Sequence, residues 1–316
     1  MSEKLTESQK NKFTNQLGTY ISFMGLIAVA VLFEILTEGR LFSSRNMMNI
    51  FNNFFTIGIA AMVYSFIMAL GELDLSIGAI VGISAAMAAM VGKINTLLIF
   101  PVAILTGFVV GCLNGASIAK LNTPSFIATL AISFIMRGVT TWTLNGSVGV
   151  DVSMRMFDQN WIKITLFCVL MVLFYILYEH CAYGKNCRAV GASKAAAEQS
   201  GIKVAKTRYL AFVLLGTICG LVGFFVLIHS FTASSSTGTA FEFDVLLAVL
   251  FGGMPLSGGW SVRFRSAVIG AVTMAILKSG MSLVGIPGMT QAIVKGVILI
   301  VVVAISFDRK NAGVIK

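Results

Sequence analysis

Apolar residues run through this chain in long, nearly unbroken blocks, separated by short polar or charged breaks. Ten blocks can be drawn, at roughly 20–37, 54–70, 75–91, 97–119, 125–144, 161–179, 208–229, 242–256, 265–284 and 289–306. Most are near the ~20 residues that carry a helix across a bilayer, and none shows the short alternation of a membrane strand. The pattern predicts an all-α, polytopic membrane protein with about ten transmembrane helices. The polar start, MSEKLTESQKNKFTNQ, leads into a block of full span length, which is not the pattern of a cleavable signal peptide.

Charge orients the blocks. Lys4, Lys10 and Lys12 precede the first. Lys185, Arg188, Lys194, Lys203, Lys206 and Arg208 stand against Glu179 and Glu198 in the long break after the sixth. Arg263 and Arg265 follow the eighth, and Arg309, Lys310 and Lys316 follow the last. Ten spans with both termini inside put all four groups on the cytoplasmic face, as the positive-inside tendency requires. The expected plan is a cytoplasmic tail over 1–19, one transmembrane domain over 20–306 and a second tail over 307–316. Residues 145–160 and 230–241 then face outward, and an N-x-S sequon at Asn145 falls among them as a chance match.

Composition narrows the function. Only 11% of the 316 residues are charged and 57% are hydrophobic, with a mean hydropathy of +0.90, so the formal charge of +10 reads as orientation in a membrane and not as nucleic-acid binding. The five cysteines lie in apolar blocks or in the inward basic stretch, which gives no disulfide framework, and no CxxC is present. No phosphate-cradling G-x-x-x-x-G-K-[ST], HExxH or G-x-S-x-G occurs. His180 and His229 lie at opposite ends of spans. The chain has no motif for chemistry or for a nucleotide-driven motor of its own.

The basic break, GKNCRAVGASKAAAEQSGIKVAKTR (184–208), predicts a small helix in water. Ser193 is a good N-cap, Lys194–Ser200 is a run of helix formers, and Gly201 can take the left-handed conformation that ends a helix. Its small residues suit close approach by a soluble partner, and its Lys and Arg suit equally a loop anchored to anionic lipid. The halves also share features in order. GCLNGASIAKLNTPSFIATLAISFIMRG (111–138) and AILKSGMSLVGIPGMTQAIVKGVILIVVVA (275–304) each show a Leu-polar-Gly turn, a Pro and an apolar run, and Glu72–Asp74 parallels Glu242–Asp244. A two-fold internal repeat is expected, as in many transporters.

Ionisable groups in or beside spans are costly and are candidates for function. Arg137 and Lys278 lie inside blocks; Glu72, Asp74, Glu242 and Asp244 lie near block ends, where water access is expected and where capping or ion pairing is the competing role. Asn114, Ser117, Thr123, Ser125, Thr129 and Ser133 put polar groups on two consecutive spans. Ser125, Thr129 and Ser133 recur every fourth residue, along one helix face, where they serve either a translocation path or helix packing.

Five blocks in order carry a family resemblance: RLFSSRNMMNIFNN (40–53), GELDLSIGAIVG (71–82), LNGASIAKLNTPSFIATLAISFIMRG (113–138), the basic break, and FEFDVLLAVLFGGMPLSGG (241–259), closed by IVKGVILIVVVAISFDR (293–309). Over nearly its whole length the chain resembles permease subunits of ABC importers, in the branch that moves ribose, arabinose, galactose and xylose. Glu72 stands where that family has a second Gly, and Gly191-Ala192-Ser193 stands where it has Gly-Gly-Asn. The resemblance implies a non-enzymatic subunit of the bacterial cytoplasmic membrane. It would bind no cofactor itself, with ATP and Mg held by a separate cytoplasmic ATPase. A second permease, a copy or a sister, would pair with it, and an extracytoplasmic sugar-binding protein would dock on the outward loops. It implies ATPase coupling through Gly191, Ser193, Ala196, Ala197, Ser200, Gly201 and Ile202. Permeases for nucleosides or branched-chain amino acids share the plan. An ion-driven carrier would need acids at mid-membrane, and a membrane enzyme would need clustered His, Asp or Glu.

Overall fold

The computed structural model describes residues 23–144 and 146–306. The two tails, the start of the first block and Asn145 lie outside the described residues. Twelve helices follow in chain order among the rest: α1 (Phe23–Leu36), α2 (Ser44–Ala69), α3 (Ile77–Gly92), α4 (Ile99–Ala119), α5 (Ser125–Thr143), α6 (Asn160–Tyr175), α7 (Ala182–Ala192), α8 (Lys194–Gln199), α9 (Val204–Ser230), α10 (Phe241–Phe251), α11 (Phe264–Leu283) and α12 (Gly288–Ser306). Every apolar block contains one helix. Six are long and apolar enough to cross a membrane: α2, α4 with the 3₁₀ turn before it, α5, α6 with the π turn after it, α9 and α11.

α3 and α10 fall short. At 16 and 11 residues they rise about 24 and 16 Å, against a hydrocarbon core of ~30 Å. Irregular backbone makes up the difference: residues 70–76 lead into α3, and residues 252–258 follow α10. Gly253 (φ +82°) and Pro255 end α10 five residues before its apolar block ends. The Leu-polar-Gly turns expected near 113 and 277 are not turns. Leu113–Gly115 lies inside α4 and Leu277–Gly280 inside α11. Their glycines serve packing: a Cβ on Gly115 would come within 2.9 Å of Tyr209. The prolines do mark helix starts, Pro124 before α5 and Pro287 before α12.

The helices pack in parallel sets. α4 lies along α9 as α11 lies along α2; α3 packs on α4 and α5, and α10 on α11 and α12; α2 and α9 meet at the centre. Bulky apolar side chains point outward on α5 and α6, including Phe134, Trp142, Trp161 and Val172, as lipid-facing helices require.

The connections sort to two faces. On one, β1 (Ser147–Gly149) pairs antiparallel with β2 (Thr232–Ser234), joining the two loops expected to face outward. On the other, the α2–α3 break, the α7–α8 segment and the loop before α11 meet through glycines. Gly191 lies against the Ala69 carbonyl, and a Cβ on Gly71 would sit 3.1 Å from the Ser257 oxygen.

The basic break is shorter than its composition suggests. Residues 182–192 form α7 and Val204 already belongs to α9, so only 193–203 stands apart. α7 is polar in sequence but packed. Arg188, 8% exposed, bonds Glu179 (2.9 Å) and the Tyr178 carbonyl (3.0 Å), and its guanidinium lies 4.9 Å from the rings of both Tyr178 and Trp260. An arginine with a carboxylate, a carbonyl and two aromatic faces can leave water. Burial pushes the Cys187 thiol beside it up to about 12, which makes it inert.

Candidate functional site

Two places stand out, one on each face. The first is α8 and its surroundings. Ser193 caps the helix, its hydroxyl accepting from the Ala196 amide at 3.3 Å, and Gly201 leaves it at φ +81°. Ser193, Ala196, Ser200 and Gly201 are exposed, Ile202 is half-buried, and Ala197 is buried beneath the helix. Gly191 is a packing glycine at the α2 end. Of the seven residues singled out here, then, four present a surface and three hold it in place. Beside them lies a depression of about 510 Å³ edged by Tyr183, Asn186, Lys203, Lys206 and Leu210.

The second is a cavity of about 580 Å³ that opens toward the β1–β2 face. α2 supplies one wall with Asn46, Asn49, Asn53 and Thr56, whose 3-4-3 spacing sets them on one helix face. α11 supplies Lys278, Ser279 and Ser282 opposite, and Phe55, Phe225 and Phe241 line the depth. Asn46 is fixed: its amide donates to the Leu41 carbonyl (2.7 Å) and its oxygen accepts from Ser279 (2.8 Å). Asp244, on the floor, bonds Lys278 at 2.9 Å and also pairs with Lys295 from α12.

A clasp closes one side of this cavity. Lys163, at the start of α6, reaches Asp158 (2.6 Å) and Asn52 (2.8 Å), and Asp158 also meets His229 (3.1 Å). Burial works to raise the Asp158 carboxyl, but hydrogen bonds from His229 and Lys163 outweigh it and hold the group below the usual carboxylate range.

The polar residues picked out for a path fall elsewhere. Asn114 is fully buried and donates to Ser76 (2.7 Å) and, at 3.5 Å, to Asp74. Asp74 accepts from the Ser76 amide and hydroxyl at 2.7 and 2.6 Å, which fixes the start of α3. Ser125 and Thr129 accept from the amides of Leu73 and Leu75 at 3.3 and 3.1 Å, satisfying the irregular backbone before α3. Ser133 is half-buried on the same helix. Arg137 donates to the carbonyls of Thr237 (2.9 Å) and Gly238 (2.6 Å) and lies 3.8 Å from Glu242. Glu72 pairs with Arg208. None of these seven is among the cavity-lining residues. The expectation of easy water access at the block ends is overturned for Asp74 and Asp244, each 1% exposed, because helices cover the break that holds Asp74 and two lysines cover Asp244 in the first turn of α10. Sequence reasoning missed the α2 wall, although the spacing of Asn46, Asn49, Asn53 and Thr56 was there to be read.

Comparison with known proteins adds the lineage. Residues 46–303 match the family described as branched-chain amino acid transport system / permease component. A ribose import permease protein of Bacillus subtilis (strain 168) is 28% identical over 98% of this chain and 98% of its own. One from Escherichia coli (strain K12) is 30% identical over 90% and 93%. An L-arabinose ABC transporter permease protein of Azospirillum brasilense is 29% identical over 94% and 89%. No solved structure matches.

Proposed function

The chain belongs to the branched-chain amino acid transport system permease family, and from that premise we propose that it is the membrane subunit of an ATP-driven ABC importer for a monosaccharide. It is a multi-pass inner-membrane protein. The observation that carries the substrate class is the end-to-end similarity to ribose and arabinose permeases. The cavity wall agrees with it, since amides and hydroxyls match sugar hydroxyls in both donor and acceptor sense. Its volume is within the range of small-molecule sites.

In this reading the chain crosses the membrane ten times with both ends inside, the parallel helix sets are an internal duplication, and residues 20–306 form one permease domain. The chain binds no cofactor. ATP and Mg belong to a cytoplasmic ATPase that docks on the exposed side of α8, and membrane lipid surrounds the rest. A sugar-binding protein docks on the β1–β2 face and delivers cargo to the cavity mouth. A second permease, a copy or a sister, completes the pore. Movement of α8 reaches the spans through the Gly71, Gly191 and Gly258 junction, where backbone meets backbone and no side chain can absorb the displacement.

The test is uptake of labelled ribose and arabinose into proteoliposomes holding the permease, its ATPase and its binding protein, before and after Ala196→Glu. A carboxylate on the exposed face of α8 lowers ATPase association and uptake about tenfold or more while the permease stays folded. Uptake of branched-chain amino acids in place of sugars would overturn the substrate class. Uptake that runs without ATPase would overturn the importer reading.

A further inference from the structure

The floor of the cavity carries charges that do not cancel. Two ammonium groups, Lys278 and Lys295, share the single carboxylate of Asp244. The neighbouring pair, Arg137 with Glu242, is balanced one to one, and Asp158 on the wall holds Lys163 as its one ammonium partner beside the His229 ring. The two lysines are not equivalent. Lys295 keeps 6% of its side chain exposed and is the standing counter-ion of Asp244. Lys278 keeps 28% exposed and lines the cavity. With Asp244 already neutralised from α12, Lys278 brings a surplus positive charge to the cavity surface.

The first half of the chain shows what this position does without that charge. GCLNGASI and AILKSGMS align so that Asn114 and Lys278 correspond. Each lies in the long helix that follows a short one, and each reaches the acid at the start of that short helix. Asn114 Nδ2 is 3.5 Å from Asp74 Oδ2, and Lys278 Nζ is 2.9 Å from Asp244 Oδ2. An amide would therefore fit the geometry, yet the one of the two positions that borders the cavity carries an ammonium. Cargo entering the cavity displaces the water that solvates it. A desolvated cation without a second acceptor is costly, whereas a carboxylate on the cargo would satisfy it with a charge-assisted bond.

We propose that the cavity selects an acidic monosaccharide, with Lys278 pairing the cargo's carboxylate and the Asn49, Asn53, Thr56 and Ser282 side taking its hydroxyls. This rests on the monosaccharide-permease reading and specifies the substrate class of the same site. Lys278 is then the specificity-determining residue, and Lys295 is what leaves it available.

D-galacturonate and D-galactose form a matched pair of probes, differing at one carbon by a carboxylate. Binding of each to the full chain in lipid nanodiscs, by saturation-transfer NMR and competition, is the measurement. Galacturonate should bind at least about tenfold tighter than galactose, and the preference should shrink as salt is raised. Lys278→Asn, which installs the residue of the other half and leaves Asp244 with Lys295, should reduce the ratio to about one. Lys278→Arg should keep it. Unchanged thermal unfolding in Lys278→Asn would show that the fold is intact. Equal binding of the two sugars by the wild type, no galacturonate binding, or a preference that survives Lys278→Asn would each overturn the proposal. The underlying monosaccharide reading fails on a separate result: no ATP-driven sugar uptake when ATPase and binding protein are supplied.

Discussion

Where α4 runs along α9 the two backbones touch. A Cβ on Gly111 would come within 2.8 Å of the Phe212 carbonyl, and one on Gly220 within 2.5 Å of the Ala103 carbonyl. Where α11 runs along α2, in the corresponding place, the helices are held by a hydrogen bond between Ser279 and Asn46, and a polar cavity opens beside it. The acids at the two crossings differ in the same sense. Asp74 is held by neutral donors, Ser76 and Asn114, while Asp244 is held by two lysines. One crossing is closed and neutral, and the other is open and charged. One crossing thus supplies cohesion, and the other leaves room for a polar cavity.

The comparison breaks hardest at Asp244. Asp244→Asn leaves two ammonium groups without their carboxylate in a buried site and should destabilise the protein by about 3–5 kcal/mol, read as a lower unfolding temperature of the purified permease. Adding Lys278→Asn removes one orphaned charge and should recover part of the loss, a coupling that a double-mutant cycle measures. Independent, additive losses would show that the two groups do not act as a unit. Next comes the closed crossing. Gly111→Leu drives a side chain into the α9 backbone and should cost about 1–3 kcal/mol, whereas Ser282→Leu, on the cavity wall, should leave unfolding nearly unchanged and lower uptake instead. Asp74→Asn is the milder twin of the Asp244 change. The amide oxygen can still accept from Ser76 and no cation is orphaned, so a loss of about 1 kcal/mol is expected; a loss as large as that of Asp244→Asn would erase the distinction between the crossings.

The smallest effect is at the clasp. The folded Asp158 carboxyl titrates below its ordinary value, so its contribution is complete above the unfolded pKa of about 3.9 and disappears as pH falls through the lowered one. The difference in unfolding temperature between wild type and Asp158→Asn should therefore persist at neutral pH and narrow only below about pH 4.

Much of the fold was legible in the chain. Each apolar block holds a helix because a run of apolar side chains in lipid has no other way to satisfy its backbone. Ser193, Gly201, Pro124 and Pro287 marked helix ends by local chemistry that needs no tertiary context. The two loops that charge set on one side do meet, through the β1–β2 pair. The polar residues inside the spans were legible as costly but not as to purpose. A serine or an acid in an apolar run satisfies its hydrogen bonds with whatever the packing brings near. Ser125 and Thr129 thus serve the backbone before α3, while the α2 asparagines face a void.

Sequence by itself determined the apolar helices, some of their ends and the lineage, because hydrophobic length, capping and ordered motifs are properties of neighbouring residues. Only the tertiary structure decided which crossing closes and which opens, that α7 is packed and not solvated, and that Lys278 and Lys295 share one acid. Those facts depend on residues tens to hundreds of positions apart, brought together when helices that all look alike to lipid choose their neighbours by shape and by buried charge.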